Sequence, residues 1–357
     1  MKCGTVAVVG RANAGKSTLV NVLVGEKVSI VSPKPQTTRD RIYGVLTTDD
    51  YQIVFEDTPG IYKASGLLSS KMQKTTETTA RDTDLILFVI DGHDGLKEDD
   101  KKLLGKYVGR GTPVIAALSK IDIMPKDKIP EELCELAENG EISEIIPVSA
   151  RKGRNVKELL NLILKYLPES EYVFDPNAIS DKSEKFMISE IMREKILLKY
   201  DKEIPHGVAI VINKFEKRPN GIYDVDLDIV CEKQNHKAII IGKGGNALKE
   251  TASFAREAME KFLGAKVFLK TYVKVKESWR DDANLLRQYG YGDDNKSFNI
   301  SADKSGYKRI NEVFLHILRI WKDPKTRRGN CLKRREAQAI ICCTRNLKEI
   351  PKRGNDF

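Results

Sequence analysis

The chain has 357 residues, a formal net charge of +10 and a hydrophobic fraction of 41%. That length allows two or three domains, each with its own core, while no apolar run reaches the roughly 20 residues needed to span a bilayer. The six cysteines (Cys3, Cys134, Cys231, Cys331, Cys342 and Cys343) lack C-x-x-C spacing and the four histidines do not cluster near them. A disulfide framework or a Cys/His metal site is therefore not expected, and reduced thiols in a cytoplasmic protein are.

The chain opens on Met1-Lys2-Cys3-Gly4 and runs directly into an apolar stretch, with no cleavable leader expected. Residues 6–9, 52–56, 85–90, 114–118 and 145–148 read as strands whose near-continuous Val, Ile and Leu imply burial on both faces, as in a parallel sheet. Residues 17–24, 70–81, 98–108 and 156–167 have helical spacing between them. Strands and helices in alternation predict a doubly wound α/β domain over 1–167. Residues 168–184 carry Pro, Asp, Asn and Ser with little periodicity and read as a linker. A second unit over 185–292 then shows a helix (186–200), strands at 208–215 and 223–231 around Pro219-Asn220-Gly221, a helix (247–263) and a strand (266–275).

The remaining stretch, 293–357, holds 16 Lys/Arg against 8 Asp/Glu, so most of the positive excess sits there. Residues 313–320 have helical spacing, with Phe314, Ile317 and Leu318 on one apolar face, among the basic runs 325–328 and 333–335. Such charge suits nucleic acid or an anionic membrane surface, and it also suits a plain solvated extension. The plain, dispensable tail is the preferred of these.

Gly10-Arg11-Ala12-Asn13-Ala14-Gly15-Lys16-Ser17 fits G-x-x-x-x-G-K-[ST] between a strand and a helix. Glycines there let successive backbone N–H groups turn toward phosphate oxygens, aided by the helix N-terminus. Lys16 is expected to reach the β- and γ-phosphates and Ser17 to ligate Mg2+, with Thr18 next in line. Asp57-Thr58-Pro59-Gly60 closes a strand, as a magnesium-sensing carboxylate and a γ-phosphate-sensing glycine would. Ser119-Lys120-Ile121-Asp122 follows another strand: Asp122 could accept both N–H donors of a guanine edge, which adenine does not offer, and Lys120 could pack along the purine. Ser149-Ala150 follows the last strand and could offer a backbone N–H to the base carbonyl. Singly, each has a bland reading as a turn or helix cap; in this order, each at a strand end, they point to guanine nucleotide, because ligands of open α/β sheets sit at those ends. Pro35-Gln36-Thr37-Thr38-Arg39-Asp40 has the position of a loop that closes over nucleotide, with Thr37 and Thr38 as its candidate contacts.

Together with Ile241-Gly242-Lys243-Gly244-Gly245 and Ser278-Trp279-Arg280-Asp281, these motifs make residues 1–292 resemble the Era family of bacterial ribosome-assembly GTPases. The resemblance implies a P-loop GTPase domain followed by an α+β type II KH domain. It implies a slow GTPase that binds single-stranded RNA near the 3′ end of small-subunit rRNA and assists 30S assembly. It implies GTP as substrate and Mg2+ as cofactor, with Lys16, Thr38, Asp57 and Gly60 serving catalysis. Ser17 and Thr38 are then Mg2+ ligands, with Thr37 the alternative to Thr38, and Asp57 acts on the metal through water. Asn13 matches an asparagine associated with K+. Ile61 stands where Ras-like proteins carry a water-positioning glutamine, and its side chain cannot orient water.

Ser119 departs from the usual Asn of the guanine motif, and Ala12 and Ala14 depart from the family's P-loop. The G-x-x-G loop, Ile241 to Gly245, is the expected RNA contact. Glycine there lets the nucleic-acid backbone approach, Lys243 faces phosphate, and Lys233, Lys237, Lys249 and Arg256 add charge nearby. Two other readings are weighed: a membrane-associated signalling switch seated at the inner face of the cell membrane, and a tRNA-modifying GTPase, which would need a cofactor site or a C-terminal cysteine motif.

Overall fold

A computed structural model describes residues 1–60, 66–79, 83–138 and 141–291. The expectations for Ile61, for Arg81 as a helix end and for the whole of 293–357 lie outside the described residues.

In the first domain, β1 (Lys2–Val9) leads through a glycine turn into α1 (Lys16–Val24). Then come β2 (Ile42–Thr47), β3 (Tyr51–Asp57), α2 (Leu67–Thr79), β4 (Leu85–Asp91), α3 (Glu98–Leu104), β5 (Val114–Ser119), α4 (Lys128–Ala137), β6 (Glu144–Pro147) and α5 (Val156–Tyr166). The sheet order is β2-β3-β1-β4-β5-β6, with every neighbouring pair parallel except β2 against β3. Along β4 the side chains alternate between two cores. Leu85, Leu87 and Val89 pack with α1 and α5, while Ile86, Phe88 and Ile90 pack with Leu103, Leu104 and Leu136 of α3 and α4. Burial on both faces is therefore what the unbroken apolar run reported.

The first domain has two elements beyond those read in the sequence. Strand β2 is an antiparallel edge interrupted by Gly44, where a Cβ would stand 3.0 Å from Val24 Cγ2. Its composition is diluted because α1 packs close against it. Helix α4 carries Pro130 in its first turn, which interrupts an otherwise amphipathic run whose Leu136 is buried. Helix α3 stops at Leu104, and the chain continues in tighter turns in which the N–H of Lys106 and Tyr107 donate to Leu103 and Leu104.

Residues 168–184 form no helix or long strand until α6 begins, yet they are fastened to the first domain. Gln52 is fully buried and its Oε1 accepts from the N–H of Val173 and Phe174, both at 2.9 Å. Tyr172 Oη donates to Thr48 O at 2.6 Å.

The second unit runs α6 (Glu184–Lys199), β7 (Ala209–Lys217), β8 (Tyr223–Cys231), α7 (Gln234–Ile241), α8 (Asn246–Leu263), β9 (Val267–Val275) and α9 (Ala283–Gln288). Ser183 caps α6 by accepting from Phe186 N–H. The sheet order is β7-β8-β9, with β9 parallel to β8. Ile188, Ile191, Met192 and Ile196 of α6 pack with Leu227, Ile229, Ala255 and Met259 in one core. Each of these fully buried Ile, Leu and Met side chains contributes about 1.5–3 kcal/mol. Helix α7 is an element beyond those read in the sequence, because its first turn, Gln-Asn-His-Lys, is polar and exposed on one side. Among the described residues no helix is long and apolar enough to cross a membrane.

Candidate nucleotide and RNA sites

The glycine turn between β1 and α1 takes backbone angles that side chains resist. Gly10 has φ +148°, where a Cβ would stand 2.3 Å from Val89 O, and Gly15 has φ +96°. Asn13 also has positive φ and is exposed at the crest of the turn. Lys16 folds back into the turn, its Nζ donating to Gly10 O at 3.1 Å and Arg11 O at 2.9 Å. Burial lowers its ammonium to about 8, with the Asp57 carboxylate pulling the other way. A buried ammonium satisfied only by carbonyls is poised for an anion. Arg11 is braced by Asp100, a fully buried carboxylate 2.7 Å from its Nε, a contact that no motif announced.

Around Ser17 three oxygens converge. Ser17 Oγ lies 2.9 Å from Thr38 Oγ1, and Thr38 Oγ1 lies 3.5 Å from Asp57 Oδ2. Thr37 points elsewhere: its Oγ1 donates to Lys34 O at 2.6 Å and lies 2.8 Å from Ser32 Oγ. Of the two threonines left open by the sequence, the geometry brings Thr38 to the site. Asp57 is fully buried and its Oδ1 has no hydrogen-bond partner. Burial pushes its carboxyl above the usual range, with the Ser17 hydroxyl and Lys16 opposing. Two hydroxyls beside an unsatisfied buried carboxylate oxygen are a hard-oxygen set that fits Mg2+, an ion that keeps several waters and takes few protein ligands. Gly60 follows at the mouth, where a Cβ would stand 2.6 Å from Ala12 Cα and 2.9 Å from Lys16 Nζ, so only glycine fits.

The residues read as base contacts gather at the ends of β5 and β6. Asp122 Oδ1 accepts from Ser149 Oγ at 2.6 Å. Of the Ser149-Ala150 pair expected to offer a backbone N–H to a base carbonyl, the Ser149 N–H donates to Arg154 O at 3.1 Å, which leaves that role to the Ala150 N–H. Lys120 has positive φ and its Nζ is held by Asp91 Oδ2 at 2.6 Å, a carboxylate at the end of β4 that the sequence reading passed over. Its stem passes the P-loop: an added Gly15 Cβ would lie 3.9 Å from Lys120 Cε. Ser119 Oγ donates to Ala14 O at 2.6 Å.

In the second unit the glycine loop joins α7 to α8. Gly242, Gly244 and Gly245 all have positive φ, at 71°, 60° and 78°. A Cβ at Gly242 would strike Ala247, whereas at Gly244 and Gly245 it would meet nothing within 4 Å. The first glycine is thus required for packing, and the other two leave an open approach. Lys243 and Gly244 are exposed, Ile241 is half-buried behind them, and Ile239 is 50% exposed beside the loop. Lys233 and Lys249 are exposed nearby, while Arg256 is paired with Glu260 at 2.8 Å.

The first domain and the second unit meet through the loop that carries Thr38. Arg39 is buried, and its guanidinium donates to Val208 O at 2.6 Å and His206 O at 2.8 Å. The same group lies 5.9 Å from the Trp279 ring and 5.8 Å from the Tyr291 ring. Trp279 shares a core cluster with Leu68 and Met72 of α2, and Asp281 Oδ1 accepts from Leu67 N–H at 3.1 Å.

Comparison with known proteins agrees with this layout. Residues 5–120 match the family model described as 50S ribosome-binding GTPase, and residues 203–280 match the KH domain model. GTPase Era of Clostridium kluyveri is 46% identical over 291 residues, 82% of this chain and 99% of the relative. GTPase Era of Clostridium novyi is 45% identical over 290 residues, 81% of this chain and 99% of the relative. A tyrosine-to-alanine variant of Aquifex aeolicus Era, solved with GDP and AlF4−, superposes with a TM-score of 0.79 at 38% identity, covering 82% of this chain and 100% of that one. Era in complex with MgGDPNP and nucleotides 1506–1542 of 16S ribosomal RNA gives a TM-score of 0.78 at 39% identity, covering 82% and 99%.

Proposed function

The chain belongs to the GTPase Era family, and from that premise we propose that it hydrolyses GTP to GDP and phosphate and binds the 3′ end of small-subunit rRNA to assist 30S assembly. The observation that carries the reading is the convergence of Ser17, Thr38 and Asp57 beside the Lys16 ammonium. Mg2+, when bound there, neutralises phosphate charge as it develops. Ser17 and Thr38 would hold it directly and Asp57 through water.

The chain's own groups do the rest. Gly10, Asn13, Ala14, Gly15, Ser17 and Thr18 cradle the phosphates, Lys16 adds charge, and the Gly60 backbone sits where the terminal phosphate would be sensed. Ser119, Lys120, Asp122, Ser149 and Ala150 form the base side. Asn13, exposed at the crest of the loop, is the proposed ligand for K+. Faster hydrolysis in K+ than in Na+ would support that, and equal rates would remove it.

For RNA, Ile241, Gly242, Lys243, Gly244 and Gly245 form the proposed contact, with open approach at Gly244 and Gly245. The solved relative bound to nucleotides 1506–1542 of 16S ribosomal RNA supports this choice of target.

The test is fluorescence anisotropy of a labelled oligonucleotide matching the 3′ end of small-subunit rRNA, with GTP analogue, GDP or no nucleotide. Salt is held fixed because phosphate contacts make affinity salt-dependent. Tight binding in the GTP state supports the reading. Binding of guanine nucleotide without this RNA in any state would leave a GTPase with another partner. The peripheral membrane reading rests on the charge of 293–357, outside the described residues, and liposome sedimentation with and without that segment decides it.

A further inference from the structure

We propose that Arg193, in the first helix of the RNA-binding unit, is a positioning residue for GTP hydrolysis, because it holds the backbone that presents Thr38 to the nucleotide site. This rests on the GTPase reading above.

Arg193 is 1% exposed. Its Nε donates to Glu190 Oε1 at 2.7 Å, and its Nη2 contacts both Glu190 Oε2 and Thr37 O. Its Nη1 donates to Gln36 O at 3.3 Å. A buried guanidinium is costly unless its charge is paired and its donors are used. Glu190, one turn earlier on α6, supplies the charge and fixes the planar fork by a bidentate contact. The remaining donors are aimed at the two carbonyls immediately before Thr38.

The contact is poorly explained as a brace for α6 alone. The Glu190 pair would serve that purpose without reaching another domain, and it could do so in solvent, where ion pairs cost less. Glu194, on the same helix, reinforces the pattern. It accepts from Val31 N–H at 3.2 Å and from Lys27 Nζ at 2.9 Å, both at the start of the same loop. Beyond Thr38, Arg39 is held by the carbonyls of His206 and Val208. Thr38 is therefore bracketed on both sides by contacts from the second unit. Its hydroxyl lies over Ser17 only while the intervening backbone is held.

The consequence is specific to the nucleotide state. Thr38 matters to a nucleotide only through the metal and the γ-phosphate. Loosening its backbone should weaken the GTP state and leave GDP untouched. Misplacing a reacting constellation by about 1 Å costs on the order of a hundredfold in rate, so partial loosening should cost about tenfold or more.

The experiment uses the full chain and two variants. In Arg193→Lys, a single ammonium cannot serve two Glu190 oxygens and two carbonyls. The paired Glu190→Gln/Arg193→Gln removes both charges together, so no buried carboxylate is left alone. Affinity for fluorescent GDP and for a fluorescent non-hydrolysable GTP analogue is titrated against Mg2+, alongside kcat and thermal melting.

The expected result is unchanged GDP affinity, a Mg2+ requirement for analogue binding raised about tenfold, and kcat lowered about tenfold or more. The proposal is overturned if both variants melt as wild type and show unchanged Mg2+ dependence and kcat. It is also overturned if GDP and analogue affinity fall equally, since that is what a general packing role predicts. Should Arg193→Lys fail to fold, the charge-free pair is read by the same criteria. Should the pair fail as well, Glu190→Gln, which frees Arg193 from its anchor, must give the same split. Wild type that binds neither nucleotide would instead sink the GTPase reading on which the proposal rests.

Discussion

Ser119 Oγ donates to the Ala14 carbonyl at 2.6 Å, tying the end of β5 to the phosphate loop. The hydroxyl that stands in place of the usual asparagine is therefore spent on the protein itself, with its oxygen buried between two nucleotide-facing loops. Ser119→Ala leaves the Ala14 carbonyl without this donor. A hydrogen bond of this kind contributes about 0.5–1.5 kcal/mol, so nucleotide affinity should fall by about two- to tenfold. GTP analogue and GDP should be affected equally, because neither loop touches the γ-phosphate alone. Equilibrium titration with both nucleotides checks this, and a selective loss of one would count against it.

Asp122 is oriented by Ser149 Oγ at 2.6 Å. Asp122→Asn replaces a charged carboxylate, proposed to accept from two base donors, with a neutral amide that has one acceptor oxygen. Charge-assisted hydrogen bonds contribute about 1.5–3 kcal/mol, so GTP affinity should drop by about ten- to a hundredfold. Ser149→Ala, which only releases the carboxylate, should cost less. Competition binding against ATP and GTP is the measurement, and unchanged preference for guanine would remove Asp122 from the base site.

Gly244→Asp should abolish specific RNA binding without changing nucleotide affinity. The added side chain enters space where nothing lies within 4 Å, brings a negative charge, and takes φ +60°. Forcing a non-glycine residue into that conformation costs about 1–2 kcal/mol, which the second unit should tolerate. The anisotropy assay described for the rRNA 3′ end reports the outcome beside a GTP titration on the same sample.

Trp279 is fully buried, packs with Leu68 and Met72 of α2, and donates from Nε1 to Gly207 O at 3.0 Å. Trp279→Ala should destabilise the protein by about 3–5 kcal/mol. Trp279→Phe, which keeps the ring stack on Tyr291 and loses the donor, should cost less. Urea denaturation followed by far-ultraviolet circular dichroism separates the two, and equal midpoints would show that the cluster contributes little.

The His206 imidazole is held below its ordinary value by burial, with Arg39 adding repulsion and Glu203 opposing. The unfolded chain therefore takes up that proton more readily than the folded one. Stability is full above the unfolded value of 6.5 and declines as pH falls through and below it. His206→Gln should flatten the change in melting temperature between about pH 7.5 and 5.5. A variant that loses as much stability as wild type over that window would show that other groups set the dependence.

The parts of the candidate nucleotide site are legible in the sequence because each is local. A glycine turn before a helix, a carboxylate ending a strand and a Lys-x-Asp ending another each fold within a few residues, and each lies at a strand end by the logic of the sheet. The strands buried on both faces and the glycine loop between α7 and α8 were legible for the same reason. Several features were not. The edge strand β2 lost its signal to Gly44, which α1 requires. Asp91 and Asp100 carry no motif, and they earn their roles only because β4 and α3 bring them to Lys120 and Arg11. The family resemblance favours Thr38 over Thr37, but two identical neighbours give no physical ground for that choice in the sequence alone. Which hydroxyl faces Ser17 depends on how the backbone is turned, and contacts from residues more than 150 positions away turn it.

By itself, the amino-acid sequence determined the fold class, the order of the two units and the place of the candidate phosphate loop, since these follow from periodicity and from residues close together in the chain. Only the tertiary structure decided that the loop bearing Thr38 is gripped by Arg193 and that Arg39 is clamped over Trp279 and Tyr291. Long-range pairing of a buried charge with backbone carbonyls leaves no trace in spacing, because a carbonyl is the same on every residue.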